Sequence, residues 1–258
     1  RRLGVSIGGT IQDGGLDLPV VCGRFSQQRP ASELAEIFAA EPLGEELGPR
    51  FNVAPTDEAY VVVQRDERRA IVPYRWGLLP HWAENAKTAS RMFNARAETL
   101  TRSPAFADAL RRKRCLVPVD GFYEWQRIGA RRQPYSIGRT AGRPLVLAGL
   151  WSGWRDPAVD RVVRTFTIIT SAPNAQMAGL HDRMPVVVPD DRWDLWLDPA
   201  LSDPAELQGV FEPTDDVLLR IDPVRDLVNN VRNDGPELVE PIELAAIPPE
   251  PLAAGLFD

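Results

Sequence analysis

Four short apolar runs constrain this chain most: C-L-V-P-V (115–119), P-L-V-L-A-G-L (144–150), T-F-T-I-I-T (165–170) and M-P-V-V-V (184–188). Each is too short for a buried helix and has the unbroken, β-branched character of a strand covered on both faces. E-A-Y-V-V-V-Q-R (58–65) and A-I-V-P-Y-R (70–75) read as two further strands paired with each other. Helix signals are few. Residues 32–40 follow a proline and open on Ser32 as a cap. Ser103-Pro104 offers a cap and a first-turn proline ahead of A-F-A-D-A-L-R-R-K-R, and D-D-R-W-D-L-W-L (190–197) reads as a short helix. Strands and helices do not alternate, and neither an internal repeat nor a linker interrupts them. The reading is one α+β domain.

Charge adds a second constraint. The net charge is −6, yet residues 91–143 carry twelve Lys/Arg against four Asp/Glu, and residues 190–258 carry four against seventeen. Segregation of this kind fits a polyanion-binding face on an acidic protein. It fits equally a helix end solvated by Arg111, Arg112, Lys113 and Arg114, where cations meet the negative end of the dipole. No run of about 18 apolar residues offers a membrane span. Two cysteines, Cys22 and Cys115, allow at most one disulfide, and with two histidines and no C-x-x-C neither a disulfide framework nor a zinc site is expected. No cofactor is expected, and the expected compartment is a reducing cytoplasm.

Several segments place polar groups beside aromatics and glycines in turns flanking strands, as functional loops do. They are C-G-R-F (22–25), N-V-A-P-T (52–56), R-W-G-L-L-P-H-W (75–82), F-N-A-R-A-E-T (93–99), D-G-F-Y-E-W (120–125) and G-L-H-D-R-M-P (179–185). Taken singly, each has a plain structural explanation. Cys22 reads as a small buried apolar residue, Glu124 as a strand carboxylate facing water, Asn94 as a turn cap and His181 as a loop histidine. Arg24, Arg96 and Arg183 read as surface charges, and Trp76 and Trp82 as packing.

Taken together and in order, C-G-R-F, N-V-A-P-T, R-W-G-L-L-P, F-N-A-R-A-E-T, R-C-L-V-P-V-D-G-F-Y-E-W, A-G-L-W, T-I-I-T, H-D-R-M-P and N-N-V-R-N-D-G-P-E-L-V resemble the SRAP family, the SOS response-associated peptidases. The resemblance runs from Cys22 to about Glu240. It implies a compact domain over 22–245 around a β-barrel-like, mostly antiparallel core with flanking helices. It implies that Cys22, exposed as the mature N-terminus, links covalently to an abasic site in single-stranded DNA. Asn94, Glu124 and His181 match the remaining active-site positions. Arg24, Pro55, Trp76, Trp82, Arg96 and Arg183 are expected along the DNA, the tryptophans as stacking or wedging platforms. The implied partner is single-stranded DNA with abasic sites, including those at replication forks, met by a monomer near the bacterial nucleoid without metal or membrane.

The chemistry explains why a terminal cysteine is needed. A ring-opened abasic sugar exposes an aldehyde, a free α-amine condenses with it, and the thiol two bonds away closes a five-membered thiazolidine. Tethering makes that second step intramolecular. The family begins Met-Cys-Gly-Arg-Phe, whereas here Val21 precedes Cys22 behind twenty unpatterned residues. Residues 1–21 are therefore expected to be either non-native, with translation starting at a GTG-coded Val21, or a propeptide that the protein itself cuts before Cys22 as an autoproteolytic cysteine peptidase. Residues 246–258 are expected to be a loose tail. Two rival readings stay open: a thiol peptidase with Cys22 as nucleophile and His181 as base, and a non-covalent single-strand binder.

Overall fold

A computed structural model of the chain describes residues 22–129, 131–140, 142–213 and 219–244; the expected extension 1–21 and tail 246–258 lie outside them. The described strands are β1 (Phe25–Gln27), β2 (Ala40–Pro42), β3 (Arg50–Val53), β4 (Glu58–Arg65), β5 (Arg68–Trp76), β6 (Asn94–Arg96), β7 (Arg114–Val119), β8 (Gly121–Ile128), β9 (Arg131–Arg139), β10 (Leu145–Asp156), β11 (Arg161–Ser171), β12 (Met184–Pro185) and β13 (Leu219–Pro223). The helices are α1 (Ala31–Phe38), α2 (Ala107–Arg112), α3 (Trp193–Leu197) and α4 (Gln208–Phe211).

The strands β5, β4, β7, β10 and β11 form successive antiparallel pairs. A short parallel pairing, Thr165 with Arg75 and Phe166 with Trp76, joins β11 back to β5 and closes a five-stranded barrel. The short strands β2, β6 and β12 attach to β5 and β11. A second sheet, in the order β13-β9-β8-β1-β3, is antiparallel throughout. The architecture is the α+β domain with a barrel core that the sequence implied.

Both faces of the barrel strands are covered, which is why their sequences lack alternation. On β4, Val61 and Val63 join a cluster with Phe25, Val53 and Phe122 of the second sheet. The intervening Tyr60 and Val62 face a cluster that includes Leu34 and Phe38 of α1, Leu110 of α2 and Trp196 of α3. Gly149 of β10 leaves no room for a side chain between its neighbouring strands: a Cβ there would lie 2.8 Å from Cys115 Sγ on β7 and 3.0 Å from the Thr167 carbonyl oxygen on β11. Cys115 is buried and free, as is Cys22. No helix of the described residues is long and apolar enough to cross a membrane.

Three element boundaries differ from the sequence reading, each because tertiary contacts outrank local signals. Ser32 lies inside α1 and Pro30 holds the cap position; the first helical amide, Ala31, is met by Glu46 Oε1 at 3.3 Å. Ser103 does not cap α2 through its side chain. Its backbone carbonyl takes the amides of Phe106 and Ala107, and the helix starts only at Ala107. The run 184–188 pairs as a strand only over Met184–Pro185. Beyond that, Val186 bonds the Ile169 carbonyl and Val188 the Val146 carbonyl, so the segment bridges β11 and β10.

The basic run after α2 has a structural explanation. Arg111 and Arg112 occupy the last turn of α2, and Lys113 lies over the Trp151 ring. Arg114 is buried and donates to the carbonyls of Leu110, Arg111, Trp196 and Asp198, tying the ends of α2 and α3 together.

Candidate active site

The antiparallel register of β1 with β8, Phe25 opposite Phe122, fixes the site. The Tyr123 amide donates to the Arg24 carbonyl at 2.9 Å, extending the pairing toward the N-terminal side of β1. Side chains alternate along β8, so Glu124 shares a face with the buried Phe122 and is itself only 1% exposed. The Cys22 backbone nitrogen reaches it, donating to Glu124 Oε1 at 2.6 Å. Cys22 has φ 44°, in the left-handed region that non-glycine residues seldom occupy. Tight backbone geometry thus sits at the residue whose nitrogen meets the carboxyl.

Two more groups converge on this pair. Asn94 opens β6, held in register by parallel pairing with Ile168, and its Nδ2 lies 3.5 Å from the Cys22 carbonyl oxygen. His181 follows β11 in a loop whose turn bonds His181 N to the Met177 carbonyl, and its Nε2 lies 3.9 Å from Glu124 Oε2. His181 Nδ1 is 3.1 Å from the Arg183 amide and 2.9 Å from Asp182 Oδ1. The amide needs a lone pair on Nδ1 and the carboxylate a proton there, so this nitrogen makes one of the two bonds at a time.

Burial sets the electrostatics. It pushes the Glu124 carboxyl up to about 8, with the nearby Asp182 charge adding to the rise and the amides of Cys22 and Trp125 opposing it. Burial, then Glu124, pushes the Cys22 thiol well above its usual range. The site therefore presents a carboxylic acid that keeps its proton near neutrality, beside a nitrogen and a protonated thiol of one residue.

The residues expected along DNA divide into three groups. Arg96 is exposed beside Asn94, Trp82 is 55% exposed, and Pro55 is half-buried in the turn between β3 and β4. Arg24 and Arg183 are half-buried and already engaged. Arg24 Nη1 donates to Asn52 Oδ1 and the Val228 carbonyl, while Arg183 forms a two-point pair with Glu98 at 3.0 Å and bonds the Thr170 carbonyl. Trp76 corrects the expectation of a stacking platform. It is fully buried and its indole N–H donates to the Phe93 carbonyl at 2.9 Å. Its ring packs against Phe25, Phe93 and Phe166. Trp76 thus supports, from inside the core, the strand that follows Cys22 and the residue that precedes Asn94. The sequence reading gave no role to Asn52, Glu98 or Asp182. The signal for Asn52 was its place at the head of the N-V-A-P-T segment.

This arrangement defines a class. A family model described as SOS response associated peptidase (SRAP) matches residues 21–231, and the chain belongs to that family. Among its relatives, abasic site processing protein YoqW of Bacillus subtilis is 37% identical over 224 residues, covering 85% of this chain and 99% of the relative. Abasic site processing protein YedK of Escherichia coli is 28% identical over 230 residues, covering 86% and 100%. Abasic site processing protein HMCES of Gallus gallus is 31% identical over 227 residues, covering 76% and 67%. A crystal structure of a protein from Bacteroides thetaiotaomicron shares the fold with a TM-score of 0.76 at 24% identity, covering 86% of this chain and all of that one.

Proposed function

We propose that this protein processes abasic sites in single-stranded DNA by forming a thiazolidine through the amine and thiol of Cys22. The contact of the Cys22 nitrogen with a buried, proton-retaining Glu124 carries the reading. The names of the relatives support the substrate. The protein acts when Cys22 bears a free amine, which requires that residues 1–21 be absent or removed.

The sugar lesion is mostly a closed hemiacetal. Glu124, as an acid, donates its proton to the ring oxygen while the anomeric hydroxyl loses its own, giving the aldehyde. The amine adds to the aldehyde carbon and water leaves, producing an iminium. The Cys22 nitrogen lies 2.6 Å from Glu124 Oε1, within direct proton-transfer reach, so the carboxylate left by ring opening can take the proton of the amine and free its lone pair for attack. The Cys22 sulfur then attacks the iminium carbon, its proton passing to the Glu124 carboxylate, and the ring closes. The balance is one aldehyde, one amine and one thiol giving one thiazolidine and one water. His181 Nε2 stands on the far side of Glu124 and is suited to relay protons; Asn94 holds the Cys22 carbonyl side.

A boiled detergent gel of protein starting at Cys22 with abasic single-stranded DNA tests the proposal. A shifted band that is lost in Cys22→Ala and Cys22→Ser is expected, and salt-sensitive binding without any band would overturn it.

A further inference from the structure

The N-N-V-R-N-D-G motif (229–235) has no part in the chemistry above, yet it wraps a fully buried amide. Asn52 of β3 is 0% exposed, and its Nδ2 faces three backbone carbonyls: that of Val228, just ahead of the motif, at 3.3 Å, and those of Asn230 at 3.1 Å and Asn233 at 2.9 Å within it. From the other side, Asp234 Oδ1 accepts the amides of Phe51 and Asn52 at 2.6 and 3.0 Å, and Asp234 also pairs with Arg50. Trp125, next to Glu124, donates from its indole nitrogen to Asn229 Oδ1 at 2.6 Å.

The one acceptor Asn52 has left, Oδ1, receives Arg24 Nη1 at 3.1 Å, and the same Nη1 reaches the Val228 carbonyl at 2.9 Å. Both bonds use a single nitrogen of the guanidinium. The Nε–Nη2 edge makes no hydrogen bond among the described residues, and this edge presents the parallel donor pair that suits a phosphate. A flexible arginine would lose side-chain entropy on binding; one already held by two acceptors loses less.

We propose that Asn52 is a positioning residue: with the 228–233 carbonyls it forms a fixed socket that aims the free edge of Arg24 at one phosphate beside the lesion. This rests on the strand-binding reading above. Asn52 acts through Arg24 and does not touch the reacting atoms.

The test uses protein beginning at Cys22 and a single-stranded oligonucleotide carrying a tetrahydrofuran abasic analogue, which has no aldehyde and so reports binding alone. Affinity is titrated across a salt series for the native protein, Arg24→Ala, Asn52→Ala and the double variant. Each phosphate contact contributes about 0.7 to the log–log salt slope of a single strand. Asn52→Ala is expected to lower the slope by about 0.7, as Arg24→Ala does, and the double variant should fall no further than either. A native slope in Asn52→Ala, or additive losses in the double variant, would overturn the socket while leaving strand binding intact. A native slope in Arg24→Ala would overturn it too, by removing Arg24 from the phosphates. Absence of binding by the native protein would instead overturn the function proposed above. Should Asn52→Ala not fold by circular dichroism, Asn52→Ser replaces it under the same two criteria.

Discussion

The backbone nitrogen of Cys22 and the carboxyl of Glu124 stand 102 positions apart in the chain and 2.6 Å apart in the fold. The pair is buried, and that burial has opposite consequences for stability and for chemistry.

For stability, the sign follows from proton binding. The folded Glu124 holds its proton up to about 8, against an ordinary value of 4.5. Between those values the folded chain binds more protons than the unfolded one, so stability falls as pH rises through that window. Glu124→Gln keeps an acceptor for the Cys22 amide and removes the titration. In the chain that retains an amide at Cys22, the variant should melt with the parent at pH 4 and be more stable on the order of 3 kcal/mol at pH 7. Thermal melts across pH 4 to 8 check this.

For chemistry, the same substitution should be costly. Loss of a positioned acid–base group lowers rates by about 10²–10⁴-fold, so Glu124→Gln in protein beginning at Cys22 should slow adduct formation by that range at pH 7. The parent rate should fall at alkaline pH as the carboxyl ionises. Single-turnover gels over a pH series read both.

The two tryptophans of the R-W-G-L-L-P-H-W segment should separate cleanly. Trp82→Ala, at an exposed position, should weaken binding to the tetrahydrofuran strand by roughly 1–3 kcal/mol with an unchanged melting temperature. Trp76→Ala empties a fully buried site and should lower stability by about 3–5 kcal/mol. Fluorescence titration and denaturant unfolding distinguish the outcomes.

Arg114 should behave as a structural cation. Its guanidinium serves four carbonyls at the ends of α2 and α3, and Arg114→Ala removes that donor from the buried carbonyls of Leu110 and Trp196. A loss of about 3–5 kcal/mol in stability is expected, with the salt slope of DNA binding unaltered, as urea unfolding and the titration above will show.

Much of this was legible in the sequence because strands covered on both faces write themselves as unbroken apolar runs, as at 115–119 and 165–170. Cys22, Asn94, Glu124 and His181 stood out by the motifs that hold them, although Glu124, taken singly, read as a strand carboxylate facing water and is buried. What could not be read were properties decided by distant partners. The burial of Trp76 depends on Phe166, ninety positions away. The bonds of Asn52 reach partners 176 to 181 positions away. Helix starts were misjudged at Ser32 and Ser103 because Glu46 and a backbone carbonyl supply what a side-chain cap would have.

The most direct test of the central claim is mass spectrometry of the adduct formed by protein beginning at Cys22, native against selectively acetylated at the Cys22 amine, with abasic single-stranded DNA. The account predicts a detergent-stable adduct of protein plus DNA minus one water for the native protein, and none for the acetylated, still folded protein. Equal yields from both would contradict it.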